Sequence, residues 1–186
     1  MNIFLGIPIP AQTMQLCTDQ LGQIYPHWFT HSAVRWTTAG HHHLTLHFFG
    51  PIDPDLLMTL IANLDNYIRD IKNFSIEINK LYNFPKENSD LIAAYVTLSP
   101  VLAKLYHQIQ IAVTDYGFPT EARAYLPHIT LCRSKRRNFV KMEPVFVSDC
   151  QIPVSTVILY QTRSTATGSE YIPLRQWPLN HCNQCP

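Results

Sequence analysis

The stretch HLTL at residues 43–46 returns as HITL at residues 128–131, so each copy has a histidine, an aliphatic residue, a threonine and a leucine. Both copies lie in apolar runs of strand length, which predict β-strands. Successive side chains of a strand point to opposite faces, so the histidine and the threonine share one face and the aliphatic residues share the other. The pattern predicts two strands that bury an aliphatic face and present an imidazole and a hydroxyl together.

Further strands are predicted on both sides of these motifs. Apolar runs and apolar–polar alternation place them at residues 3–9, 34–36, 74–81, 91–98, 154–162 and 170–177. The two segments in the middle of the chain, 74–81 and 91–98, are expected to pair as a hairpin. Strands therefore outnumber helices in the predicted element order.

Three helices are predicted between the strands. Asp53 and Ser99 are each followed by a proline and then by an apolar face with helical spacing, which is typical of an N-cap and a first turn. The helix after Ser99 is expected to stop at Gly117, and a weaker helical pattern follows Pro10. The order indicates an α+β fold, and the repeated motif suggests two lobes that contribute equivalent strands.

Composition restricts the class of protein. The chain has 186 residues, 46% of them hydrophobic and 15% charged, which is typical of a compact globular domain. A formal net charge of +1 predicts no strong field around the whole molecule, so an anionic partner would need a local basic patch. No apolar run approaches the ~20 residues of a membrane helix, so we expect a cytoplasmic protein without a membrane partner.

The sequence contains two candidate zinc sites. His41, His43 and His47 alternate along one predicted strand and could converge on zinc, but same-face neighbours on a strand lie about 7 Å apart. The CxxC at residues 182–185 stands beside His181, but the second pair of a structural zinc site is missing. We favour an interpretation without a metal, in which the CxxC belongs to a solvated tail.

The paired histidines and threonines suit the hydrolysis of a phosphate ester. If the two strands lie side by side, one imidazole can take a proton from water while the other protonates the leaving oxygen. The threonine hydroxyls can donate hydrogen bonds to the non-bridging phosphate oxygens. Histidine fits both proton transfers because its ordinary pKa of about 6.5 lets neutral and charged forms coexist near neutral pH.

Three longer segments carry a family resemblance. VRWTTAGHHHLTLHFFG at 34–50, EARAYLPHITLCR at 121–133 and LYQTRSTATGSEYIPLRQW at 159–177 together resemble the 2H phosphoesterase superfamily. The similarity is greatest to its RNA 2′,3′-cyclic phosphodiesterase branch, the LigT-like 2′-5′ RNA ligases. It runs in order from residue 3 to about 179.

The resemblance implies a bilobal fold with pseudo-two-fold symmetry, antiparallel sheets lining a central cleft and helices outside. His43 and His128 would be the catalytic pair, with Thr45 and Thr130 as their phosphate-binding partners. Such enzymes open a 2′,3′-cyclic phosphate at an RNA end to a 2′-phosphate, without metal or cofactor. His128 is assigned as the base and His43 as the acid toward the 3′-oxygen, and the roles exchange in the ligase direction. We expect one domain over residues 1–179, a tail at 180–186 and a monomer.

Two further positions receive substrate-binding roles from the resemblance. Arg133 matches an arginine that contacts the nucleotide, and Phe48 stands where an aromatic side chain can stack on a base. Strict alternation puts both on the face opposite the histidines, so each requires a bulge or a strand end, and for Phe48 a core position is an equal alternative. Arg133 also begins the basic cluster at 133–137, which is either a solvated turn or a surface that steers an RNA backbone.

Other assignments remain open. His41 and His47 depart from the family pattern, and alternation predicts that His47 shares the cleft face with His43. The same chemistry could act on 2′-5′-linked oligonucleotides or on small cyclic nucleotides. A non-catalytic protein that binds RNA ends is a further alternative, although binding alone has no need of two proton carriers.

Overall fold

The computed structural model describes residues 1–118, 123–135, 142–165 and 168–180. The helices are α1 (Ala11–Ile24), α2 (His27–Thr30), α3 (Pro54–Ile68) and α4 (Pro100–Asp115). The strands are β1 (Asn2–Pro8), β2 (Val34–Trp36), β3 (His43–Pro51), β4 (Phe74–Phe84), β5 (Leu91–Val96), β6 (His128–Ser134), β7 (Val145–Val154), β8 (Thr156–Thr165) and β9 (Gly168–Pro178). The predicted α+β class is confirmed.

The strands form one antiparallel sheet whose order is symmetrical about its middle. The order is β7-β4-β5-β6-β3-β1-β8-β9, and β2 pairs with β6 beside this path. The middle junction joins β3 to β6 through one residue pair, Leu44 with Ile129. These are equivalent positions, one residue after each motif histidine. The two expected lobes are therefore the two halves of a continuous sheet, and the pseudo-two-fold relation passes through this pair.

Two helices begin as their capping residues predict. The Asp53 side chain accepts a hydrogen bond from the backbone N–H of Asp55 at 3.1 Å, and the Ser99 hydroxyl accepts one from Leu102 at 3.3 Å. These bonds satisfy amide groups that have no partner inside the helix. After α4, Gly117 takes a positive φ of 73°, a conformation that glycine adopts without steric cost.

The helices and the apolar face of the sheet form a continuous core. Leu44 and Leu46 of β3 and Ile129 and Leu131 of β6 are at most 2% exposed and belong to this core. Leu60, Leu64 and Ile68 of α3 pack into it with Leu102, Leu105 and Ile109 of α4. The motif histidines and threonines lie on the other face of β3 and β6, toward the cleft, as the alternation of the two motifs predicts.

The edge strand β7 was not predicted from the sequence. Its register with β4 shifts between Ile78 and Lys80, and Asp149 within it has a left-handed φ of 55°. Such a bulge interrupts the alternation of apolar and polar residues on which strand prediction depends. The predicted hairpin of β4 and β5 is confirmed. None of the helices in the described residues has the length and apolar character needed to cross a bilayer.

Candidate active site

The two motif strands carry the same irregularity. In β3, Thr45 pairs with Gly6 and His47 with Leu5, so Leu46 is an extra residue opposite β1. In β6, Thr130 pairs with Ala93 and Cys132 with Ile92, so Leu131 is an extra residue opposite β5. Each motif therefore has a β-bulge at its final leucine, and the alternation of side chains shifts by one residue beyond it.

The bulges decide which side chains face the cleft beyond the threonines. Phe48 and Arg133, each five residues after its motif histidine, are brought to the face that carries the histidines. Phe48 is 61% exposed, and its partner in β1 is Phe4, whose ring lies 4.6 Å from that of His43. Cross-strand partners share a face, so Phe48 does not occupy the core.

The prediction that His47 lines the cleft is wrong. The bulge turns its side chain to the core, where it is 6% exposed and packs on Phe49 at a ring distance of 4.5 Å. Its Nδ1 atom lies 3.2 Å from the Gln110 Nε2 atom of α4. His42 is buried as well, and burial together with the nearby imidazoles of His43 and His41 lowers its pKa to about 4.

The same hydrogen bond orients both motif histidines. The Nδ1 atom of His43 lies 2.8 Å from the backbone oxygen of His41, and the Nδ1 atom of His128 lies 2.9 Å from that of Leu126. A carbonyl oxygen can only accept, so Nδ1 is the protonated nitrogen in each ring. The Nε2 atom of each neutral imidazole is then the basic one, which is the tautomer that a proton-transferring histidine requires.

Aromatic rings hold both imidazoles in place. Phe84, at the end of β4, stacks on His128 with ring centroids 3.6 Å apart. His43 contacts Phe4 at 4.6 Å and meets the ring of Tyr171 edge-on at 4.9 Å. Each ring is therefore fixed by a carbonyl at one edge and an aromatic residue against it, which limits the rotamers that it can adopt.

The surroundings lower the pKa of both histidines. Burial is the largest cause in each case, and the carbonyl bonded to Nδ1 opposes it. The charges of His128 and His41 lower the pKa of His43 further, and the charge of Arg133 does the same for His128. The two imidazoles are thus close enough to influence each other, and their surroundings favour the neutral forms.

The motif threonines are fixed through their backbones. The Tyr125 hydroxyl donates a hydrogen bond to the carbonyl of Thr45 at 2.9 Å, and the Thr37 hydroxyl donates one to the carbonyl of Thr130 at 3.1 Å. Both threonine side chains line the cleft. Their hydroxyls therefore stand on a restrained backbone, beside the histidines with which they share a face.

The cleft brings together five of the six predicted site residues. It has a volume of about 750 Å³ and is lined by His43, Thr45, His128, Thr130 and Arg133, but not by Phe48. His41, which alternation placed beside His43, also lines the cleft. Other strands and loops contribute residues that the sequence did not reveal: Arg35, Trp36, Thr37, Thr38, Thr165, Ser169, Glu170 and Tyr171. The segment VRW at 34–36 was predicted only as a strand, and nothing in it indicated which strand would be its neighbour.

A zinc site on the three alternating histidines does not fit this geometry, because His47 lies on the core face while His41 and His43 line the cleft. Within the described ranges, no group of three or more histidine, cysteine or acidic side chains is arranged to hold a metal ion. The CxxC at 182–185, and Arg136 and Arg137 of the basic cluster, lie outside the described residues.

Comparison with known proteins finds relatives that match nearly the whole chain. An RNA 2′,3′-cyclic phosphodiesterase of Thermotoga maritima is 23% identical over 175 residues, covering 92% of this chain and 91% of that protein. A crystal structure of a Thermus thermophilus protein superposes with a TM-score of 0.84 at 20% identity, covering 97% of this chain and 99% of the other. E. coli LigT complexed with 3′-AMP has a TM-score of 0.76 at 21% identity, covering 96% and 98%.

A match over most of the sequence identifies the family. The model of the 2′-5′ RNA ligase superfamily matches residues 20–161, a range that includes both motif strands and the helices between them. The chain belongs to the 2′-5′ RNA ligase superfamily.

Proposed function

We propose that this protein is an RNA 2′,3′-cyclic phosphodiesterase that opens the cyclic phosphate at an RNA end to a 2′-phosphate. One observation carries the proposal: two imidazoles in one cleft, each with Nδ1 held by a carbonyl, are accompanied on their own strands by Thr45 and Thr130. Two proton carriers beside two hydroxyl donors match the needs of phosphate-ester hydrolysis. The name of the T. maritima relative and the 3′-AMP bound to E. coli LigT support the choice of substrate.

The reaction uses one neutral and one protonated imidazole. The Nε2 atom of the neutral histidine takes a proton from water, whose oxygen attacks the phosphorus. The bond from phosphorus to the 3′-oxygen breaks, and the protonated histidine gives its Nε2 proton to that oxygen. The product is a 2′-phosphate beside a free 3′-hydroxyl, and the two histidines have exchanged protonation states. His128 as base and His43 as acid remain predictions.

The threonines supply hydrogen-bond donors to the reacting phosphate. The hydroxyls of Thr45 and Thr130 donate hydrogen bonds to the non-bridging oxygens, whose charge grows as the bond to the attacking water forms. Arg133 provides a permanent charge at the cleft wall. The phosphate raises the pKa of nearby imidazoles, because an opposite charge favours the protonated form. Substrate binding therefore favours the protonated form of the histidine that acts as the acid.

Incubating an oligonucleotide that ends in a 2′,3′-cyclic phosphate with the protein and an excess of chelator tests the proposal. We expect hydrolysis to continue without a free divalent ion, because the proton transfers and the phosphate contacts come from side chains. Phosphorus NMR with mass spectrometry identifies the position of the product phosphate. A 2′-phosphate is the expected result.

Three outcomes would contradict the proposal. A 3′-phosphate product would mean that the 2′-oxygen is the leaving group. Binding of the oligonucleotide without turnover would indicate a protein that only binds RNA ends. Faster hydrolysis of a 2′-5′-linked oligonucleotide than of the cyclic phosphate would assign the site to another substrate class.

The rate should have an acidic optimum when it is measured as kcat/KM. The kcat/KM profile reports the free enzyme, in which burial holds the pKa values of His43 and His128 below the ordinary value. Catalysis needs one neutral and one protonated ring, so the singly protonated pair is most abundant below pH ~6.5. As the pH rises, the pair loses its remaining proton and kcat/KM falls. The optimum of kcat should lie at higher pH, because bound phosphate favours the protonated form.

Separate pH profiles of kcat and kcat/KM on a cyclic-phosphate dinucleotide measure both optima. The two midpoints belong to the coupled pair and not to either ring alone. An optimum of kcat/KM above pH ~7.5 would contradict the lowered pKa values. Identical profiles for the two parameters would contradict the expected effect of bound phosphate on the histidines.

A further inference from the structure

Two arginines stand side by side on the wall of the cleft. The short strand β2 runs antiparallel to β6, and its register places Arg35 directly opposite Arg133. Side chains of directly opposed residues lie on the same face of a sheet, and both arginines line the cleft. Nothing in the local sequence VRW indicated this pairing, because it depends on the position of β2 next to the second motif.

The strand that carries Arg35 is firmly attached. The backbone N–H of Thr37 donates to Leu131 at 2.8 Å and that of Lys135 donates to Ala33 at 2.7 Å, so bonds to β6 continue beyond both ends of β2. Trp36 stacks on Phe29 with ring centroids 4.4 Å apart. The position of Arg35 relative to Arg133 is therefore set by the fold.

Two guanidinium groups on neighbouring strands present several N–H donors to the same part of the cleft. The planar guanidinium matches a phosphate group with paired N–H donors. Arg133 lies three residues beyond Thr130, at most about 10 Å along the strand, because the bulge at Leu131 shortens the path. That distance is on the scale of one nucleotide, so the anion would be a different phosphate from the one that reacts.

We propose that Arg35 and Arg133 form a second phosphate subsite, which binds the phosphodiester next to the cyclic end of an RNA chain. The inference rests on the proposed function and adds a preference: the enzyme acts on RNA ends that carry at least one internal phosphodiester, more efficiently than on a mononucleoside cyclic phosphate. Arg35 is the specificity-determining residue of this subsite.

Three substrates test the subsite. They are a nucleoside 2′,3′-cyclic phosphate, a dinucleotide with one phosphodiester before the cyclic end, and the same dinucleotide with an uncharged methylphosphonate linkage. We expect kcat/KM to be about 10-fold to 100-fold higher for the charged dinucleotide than for the other two, the range of a charge-assisted hydrogen bond. Arg35→Gln should remove most of this advantage, and Arg35→Lys should retain part of it.

Arg69→Gln is the matched control. Arg69 is exposed directly after α3, on the other side of the sheet, so this variant has the same loss of charge without altering the cleft. It should keep the wild-type ratio between the substrates. Circular dichroism and the thermal midpoint of each variant verify that the protein is folded.

Binding of the product dinucleotide with a terminal 2′-phosphate tests the subsite independently of turnover. Calorimetry should give weaker binding to Arg35→Gln, and the slope of log K against log salt should fall by about one unit, as for the loss of one phosphate contact. An equal loss of kcat/KM by Arg35→Gln on all three substrates would overturn the subsite. A methylphosphonate dinucleotide that is hydrolysed as efficiently as the charged one would overturn it too, as would unchanged binding of the product dinucleotide to Arg35→Gln. Absence of hydrolysis on every cyclic phosphate, with Arg35-dependent binding intact, would overturn the proposed function alone.

Discussion

Replacing His43 or His128 by alanine is expected to lower kcat by about 10²-fold to 10⁴-fold, the usual contribution of a general acid or base. Each substitution removes one of the two Nε2 atoms through which protons move, while the carbonyl that held Nδ1 remains in place. The double variant should lose little more than the worse single variant, because the two groups act in the same step. Single-turnover rates on a cyclic-phosphate oligonucleotide measure the effect.

His107→Ala is the control for these variants, since His107 is an exposed histidine on α4, away from the cleft. It should retain the wild-type rate. Near-normal turnover by folded His43→Ala or His128→Ala protein would refute the two-histidine mechanism. Losses that multiply in the double variant would show that the two rings contribute independently and do not act as a unit.

Removing the hydroxyl of Thr45 or Thr130 should have the next largest effect. Thr→Val keeps the shape and the β-branch but deletes the donor, and we expect kcat/KM to fall by about 10²-fold to 10³-fold, as when one preorganised donor is removed from a transition-state site. Steady-state kinetics on the same oligonucleotide measure it. The bulge that follows each threonine and the bond to its carbonyl do not involve the hydroxyl, so the fold should persist.

Thr→Ser at each position retains a hydroxyl and should recover most of the rate. Thr59→Val, on the exposed face of α3, is a control for the loss of a threonine hydroxyl elsewhere. Wild-type rates for both cleft variants would mean that the hydroxyls do not contact the phosphate. Equal losses for Thr→Ser and Thr→Val would point to the packing of the threonine methyl group instead.

The parts of the site that the sequence revealed are those that follow from local alternation. His43 and Thr45 share a face up to the first bulge, and the same holds for His128 and Thr130. Beyond the bulge, alternation gave the wrong face for His47. A bulge depends on the register of a neighbouring strand, here β1, so a single strand's pattern of apolar and polar residues does not reveal it.

Residues that reach the cleft from distant strands could not be predicted from the sequence pattern, for the same reason. Phe84 ends a strand that was correctly predicted, yet its contact with His128 depends on the pairing of β4 with β5 and of β5 with β6. Arg35 depends on the pairing of β2 with β6. Long-range pairing of this kind is a property of the folded sheet, and a sequence pattern gives only the strands that take part.

The symmetry of the sheet has a consequence for the direction in which RNA lies. The reacting groups are matched on the two sides of the Leu44–Ile129 junction, with the same Nδ1 bond and the same bulge. Along the two motif strands, the first unmatched pair on the face of the histidines is Phe48 and Arg133, an aromatic ring on one strand and a cation on the other. The reacting groups are therefore equivalent on the two strands, and the side chains beyond them make the two ends of the cleft different.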